Sequence, residues 1–132
     1  MGKKEYKSKN EQFLNDLLLE SDILKLPGGV LYKVIQSGEE GRQPLARSIV
    51  TVHYKGSLIN GQIFDNSYAR NYPEAFRVSD VIAGWQIALR HMHIGDKWMI
   101  YIPSELGYGS RTNGPIPGNS TLIFEVELLG IA

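Results

Sequence analysis

Three stretches of the chain place apolar side chains at every second position. Residues 49–58, IVTVHYKGSL, set Val50, Val52 and Tyr54 on one face and Thr51, His53 and Lys55 on the other. Residues 97–103, KWMIYIP, align Trp98, Ile100 and Ile102, and residues 121–131, TLIFEVELLGI, align Leu122, Phe124, Val126 and Leu128 against Glu125 and Glu127. A period of two is the mark of a strand buried on one side. VLYKVIQ (30–36) and EAFRV (74–78) read as two further strands, and Asn60-Gly61 between apolar runs signals a hairpin, since both residue types tolerate positive φ.

Helical spacing occurs twice. Phe13, Leu14, Leu17, Leu18 and Leu24 recur at helical intervals, which predicts a helix from Asn10 that LPGG at 26–29 stops, after a frayed polar tail over residues 1–10. The second helix spans roughly 84–91, opens on Gly84-Trp85 and stops at Gly95. Residues 104–120, SELGYGSRTNGPIPGNS, form a long Gly- and Pro-rich loop, a kind usually kept for function. The expected architecture is α+β: a curved antiparallel sheet of about five strands, one short helix across its concave apolar face, and an N-terminal helix. The expected division is a tail and amphipathic helix over 1–27 and a folded domain over 28–132.

Composition narrows the function classes. With 132 residues the chain is one domain, and 14 basic against 14 acidic side chains leave no formal charge to favour nucleic acid. No cysteine is present, so disulfides, thiolate metal sites and a cysteine nucleophile are excluded. No apolar run approaches a membrane span, and the first residues lack a signal-peptide core. The expected location is cytoplasmic, or periplasmic where a leader precedes Met1.

Why the bulkiest side chain should open a lone helix on a β-rich domain is answered by its neighbours. A half-curled sheet with a short helix across it leaves a shallow apolar pocket. Trp85 would floor it, and Tyr54, Phe64, Phe76, Val81, Ile82, Tyr108, Ile116 and Phe124 are candidate walls. Asp65, Arg70 and the Tyr108 hydroxyl are the nearby polar groups. An apolar concavity with a few convergent polar groups is the usual form of a small-ligand site.

The stretches VTVHYKGSL, NGQIFDNS, FRVSDVIAGWQIALRHMHIGDKW and IPSELGYGS with PIPGNSTLIFEVELLGI resemble the FKBP family of peptidyl-prolyl cis/trans isomerases in its bacterial form. The likeness runs from about residue 28 to 132, and its motifs keep the family's order. It implies Trp85 as the floor under a proline ring, with Tyr54, Phe64, Val81, Ile82 and Phe124 as walls. It further implies that Tyr108 and the Ile82 backbone bond substrate or macrolide carbonyls, and that Ile116 covers the pocket from the loop. Asp65 is then the polar rim group that Arg70 or Tyr54 orients. The chain departs from the family at Ala83, where bacterial members often carry Pro, and at Glu74, where some carry an aromatic at the pocket edge.

The resemblance implies acceleration of X–Pro bond rotation in protein folding, without cofactor or metal. Its partners would be proline-containing peptides, unfolded protein clients and macrolides of the tacrolimus or rapamycin type, with no nucleic acid or membrane. The runner-up is a binding or chaperone module of the same fold with little catalysis; a small-ligand carrier stands third. His53, His91 and His93 do not converge as metal ligands should. Asp80, Asp96 and Glu105 lack the paired spacing of glycosidase carboxylates. A monomer is expected, with the N-terminal helix as the alternative dimer contact.

Overall fold

A computed structural model describes residues 2–132. Helix α1 (Lys3–Leu17) leads into strands β1 (Leu24–Lys25), β2 (Leu31–Gln36), β3 (Ile49–Ser57), β4 (Ile63–Asn66) and β5 (Glu74–Arg77). Helix α2 (Ala83–Leu89), β6 (Lys97–Ile102) and β7 (Leu122–Ile131) complete the chain. All seven strands join one antiparallel sheet in the order β1-β2-β6-β7-β3-β4, with β5 also on β3. The count exceeds the expected five because the two-residue β1 and the four-residue β4 are too short to show a period of two. β4 and β5 share one edge of β3, pairing with residues 55–57 and 49–52 respectively.

The alternation builds the core. Ile100 stands opposite Phe124, and Val126 stands between Tyr54 and Trp98 in register, so the three long strands present one continuous apolar face. Leu89, Ala88 and Trp85 from α2 and Met92 just after it pack onto that face. Gly84 lets α2 come this close: a Cβ there would lie 2.4 Å from Ile102 Cγ2. α2 ends at Leu89 with Arg90 as its cap, earlier than expected; Gly95, at φ +92, is not its stop but turns the chain into β6.

The N-terminal segment departs from expectation. Residues 3–10 are helical rather than frayed, because Lys and Glu are good helix formers and Glu5 favours the helix start. Tyr6 is their one apolar side chain, so periodicity alone misses them. Tyr6, Asn10, Phe13 and Leu17 make one stripe, which α1 lays on the outer face of the sheet. There Leu17, Leu31 and Tyr101 are buried, with Phe13, Leu14, Ile23, Met99 and Ile123 around them. Leu24 is not on the helix but in β1, and LPGG turns β1 into β2: Leu26 N–H donates to the Val30 carbonyl at 2.8 Å, with Gly28 and Gly29 at φ +79 and +87.

The Asn60-Gly61 hairpin exists, with Gly61 alone at positive φ (+89). Its bonds are Gly61 N–H to Leu58 O and Leu58 N–H to Gln62 O, the three-residue loop with a glycine bulge. Among the described residues no helix is long and apolar enough to cross a membrane.

Candidate functional site

The concave face is wider than the seven residues of α2 can cover. Beyond the helix start the uncovered part forms a cavity of about 440 Å³. Trp85 is its floor, 3% exposed, on the first turn of α2. Three rings stand nearly perpendicular to the indole: Tyr54 at 5.1 Å, Phe124 at 5.2 Å and Phe76 at 5.7 Å between centroids. Such edge-to-face packing is the favoured aromatic geometry. Phe64 extends the wall, 5.5 Å from Phe124. Gly56 makes this possible, since a Cβ there would strike both Phe64 and Phe124 within 2.7 Å.

Val81 and Ile82 line the cavity from the turn before α2, and Tyr108 and Ile116 line it from the long loop. The Gln86 side chain braces that turn, donating to the Val81 carbonyl at 2.8 Å. Trp85 Nε1 is the one buried side-chain polar atom among the described residues without a hydrogen-bond partner. The floor and the walls around it are aromatic.

Polar groups gather on one rim. The Tyr54 hydroxyl donates to Asp65 Oδ2 at 2.5 Å, and Arg70 Nη1 donates to Asp65 Oδ1 at 2.7 Å. Arg70 also reaches the Tyr54 hydroxyl at 3.3 Å and Glu74 at 3.2 Å, with its guanidinium 5.9 Å from the Tyr54 ring centroid. Burial pushes the Tyr54 phenol up to about 12, and its bond to Asp65 adds to this. Burial alone would raise Asp65, but the bonds from Tyr54 and Arg70 outweigh it and hold the carboxyl below its ordinary value. The hydrogen bond to Asp65, chiefly, raises Arg70 further. Asp65 is thus a fixed carboxylate across neutral pH. Behind it, fully buried Ser67 accepts from Tyr54 N–H at 2.7 Å and anchors the strand that carries Asp65.

Ten of the eleven residues singled out from the sequence line this cavity: Tyr54, Phe64, Asp65, Phe76, Val81, Ile82, Trp85, Tyr108, Ile116 and Phe124. Arg70 does not. It lies outside the lining and touches the site through Asp65 and Tyr54, because its long side chain folds back along the rim to its charge partners. Glu74 is likewise absent from the lining and accepts from Arg70 Nε at 3.2 Å. Asp80, Asn113 and Pro115 line the cavity without having been singled out. Asp80 directly precedes Val81, which was the available signal; the loop residues carry no periodicity that could have placed them. No group of three or more metal-type side chains occurs among the described residues.

The sequence model of the family described as FKBP-type peptidyl-prolyl cis-trans isomerase matches residues 40–129. The chain is 45% identical over 121 residues to the FKBP-type 22 kDa peptidyl-prolyl cis-trans isomerase of Escherichia coli, covering 91% of this chain and 58% of that protein. It is 41% identical over 128 residues to a Legionella longbeachae protein named outer membrane protein MIP, covering 96% of this chain and 54% of that one. The chain spans about half the length of the curated relatives it matches. A solved peptidyl-prolyl cis-trans isomerase from Pseudomonas syringae superposes with a TM-score of 0.91 at 32% identity, over 100% of this chain and 97% of that one. The expected cytoplasmic location finds no support in these names.

Proposed function

This chain belongs to the FKBP-type peptidyl-prolyl cis-trans isomerase family, and from that membership we propose that it accelerates rotation about X–Pro bonds in protein substrates. The observation that carries the reading is the aromatic cavity floored by Trp85 with a fixed carboxylate, Asp65, on its rim. Residues 28–132 are the isomerase unit in this reading, and 1–27 an appended element.

Amide resonance sets a rotation barrier of roughly 18–20 kcal/mol. Twisting the bond abolishes that resonance, so the twisted state separates less charge than the planar amide. An apolar surround of Trp85, Phe76, Phe124 and Tyr54 therefore disfavours the planar form relative to the twisted one. The proline ring lies on the indole, walled by Phe64 and Val81, and Ile116 closes the loop side. The Ile82 N–H has no acceptor among the described residues and would hold a substrate carbonyl. Tyr108, 40% exposed, offers its hydroxyl to a second one. These contacts fix one turn-like geometry, so orientation adds to desolvation. A millionfold acceleration requires about 8 kcal/mol, shared among these effects.

The reaction transfers no proton and forms no covalent bond, so the chain's own residues suffice without a cofactor. Proline-containing peptides and unfolded chains are the substrates, and macrolides of the tacrolimus or rapamycin type would compete for the same pocket. The bacterial relatives support a bacterial source, and the one named for the outer membrane supports a cell-envelope location. The chain acts as a monomer, since Phe13, Leu14 and Leu17 of α1 are used against its own sheet. Protease-coupled isomerisation of a short Ala-Leu-Pro-Phe peptide tests the reading. Catalysed cis-to-trans conversion supports it. Peptide binding with turnover at the uncatalysed rate would overturn it in favour of a binding module.

A further inference from the structure

The segment 107–121 that caps the pocket is a small ladder closed on itself. Asn113 and Ile116 bond each other at 2.8 and 2.9 Å across Gly114-Pro115, and Asn119 N–H donates to the Gly109 carbonyl at 2.8 Å. Gly118 passes so close to Ser110 that a Cβ would lie 2.1 Å from its carbonyl oxygen. A segment braced this way moves as a unit, so the place of its stem decides the place of its tip. The tip carries Pro115 and Ile116 over the cavity.

The stem is held from the other side of the sheet. Tyr6 Oη and Ser120 Oγ are 2.7 Å apart, and Ser120 Oγ donates to the Pro117 carbonyl at 2.6 Å, so the Tyr6 hydroxyl is the donor to Ser120. One turn along α1, Asn10 is 2% exposed, and its Oδ1 accepts Thr121 N–H at 2.7 Å. Asn10 Nδ2 donates to the Tyr6 carbonyl at 2.8 Å, and the Asn10 carbonyl accepts the Thr121 hydroxyl at 3.3 Å. Gly107 and Gly109 N–H donate to the Ser104 carbonyl just before the segment; beyond that neighbouring turn, its hydrogen bonds to other elements among the described residues go to α1. A buried asparagine in a helix with its amide fully engaged is costly unless those bonds form. A cleft lies on each side of the clamp, one lined by Lys7, Glu11 and Thr121, the other by Lys3, Ser110 and Gly118.

We propose that Tyr6 and Asn10 are positioning residues for substrate binding: they fix, across the sheet, the loop that places Ile116 and Pro115 over the proline pocket. The inference rests on the isomerase reading. α1, seated on Leu31 and Tyr101, is thus a strut from the outer face to the site. A loop that spends part of its time displaced reduces apparent affinity by the fraction competent and leaves the rotation step intact once substrate is enclosed.

Tyr6→Phe and Asn10→Ala test this, with Gln12→Ala on the same helix as control. Amide hydrogen exchange at Ile116 and Asn119 and the kinetics of Ala-Leu-Pro-Phe isomerisation are read together. The expected result is faster exchange at both amides and a KM raised about fivefold in each variant, with kcat within about twofold and Gln12→Ala unchanged. Wild-type exchange in Tyr6→Phe, or faster exchange with wild-type KM, would overturn the inference. An equal fall in kcat and kcat/KM would do so too, because the loop would then act in the transition state. A wild type without turnover would sink the isomerase reading instead; the peptide's dissociation constant, by NMR titration, then replaces KM. A wild type that does not bind the peptide at all overturns both.

Discussion

Seven residues of α2 lie on the inner face of the sheet, and four of them, Gly84, Trp85, Ala88 and Leu89, are buried. Fifteen residues of α1 lie on the outer face, and only Asn10 and Leu17 are. The inner helix is set by close apolar approach and is too short for the surface it covers. The outer helix is long, mostly polar, and held by a narrow stripe and a few hydrogen bonds. The difference locates function. Surplus aromatic surface remains where the tight helix ends, and that surplus is the pocket. On the outer face the apolar stripe of α1 is used against the sheet, and the helix reaches the site through the loop stem it grips.

Substitutions that treat the two faces alike should therefore have unlike results. The largest effect belongs to Gly84→Val, which drives carbon into Ile102 at the closest helix–sheet approach. A loss of about 3 kcal/mol or more is expected, with isomerase activity lost, read from the urea midpoint and the peptide assay. Leu17→Ala removes the most buried apolar contact of α1 and should cost about 2 kcal/mol by the same denaturation, with kcat kept. A fall in kcat would erase the distinction between the faces.

Alkaline pH sharpens the contrast from the pocket side. Tyr54 ionises at about 12 in the fold against an ordinary 10.0. The folded state thus holds a proton that the unfolded state releases first. Its stabilisation is complete below pH 10 and fades as pH rises toward 12, a loss on the order of 2 kcal/mol. Tyr54→Phe should reduce that alkaline loss and leave the part carried by Tyr68 and Tyr101, which burial also raises. The smallest effect is on the exposed flank of α1, where Lys9 and Glu5 are 3.7 Å apart and well solvated. Lys9→Ala should change stability by less than about 0.5 kcal/mol.

The sequence displays the inner face more clearly than the outer one, for physical reasons. Val50, Val52 and Tyr54, like Phe124, Val126 and Leu128, repeat at the strand period because one side of each strand is buried. Trp85 and its walls could be gathered from the strands and the turn before α2 for the same reason. The outer face hides because α1 begins with Lys and Glu, which form helix without an apolar rhythm. The unbroken apolar run from Trp98 to Ile102 did carry the signal: Met99 and Tyr101 point outward and need a cover. Asp80, Asn113 and Pro115 lie in turns and loops, where no period links sequence to direction. Arg70 was gathered into the pocket by nearness in sequence, whereas its reach and charge carry it round the rim.

The central claim is that the uncovered aromatic surface at the start of α2 is where the X–Pro bond turns. Its most direct test is kcat/KM for X–Pro isomerisation in wild type and Trp85→Leu, with circular dichroism and urea unfolding run on both. The account predicts a loss of at least about tenfold in a variant that still unfolds cooperatively, because a branched aliphatic chain supplies neither the flat floor nor its edge contacts. A folded Trp85→Leu with kcat/KM within about twofold of wild type would contradict it.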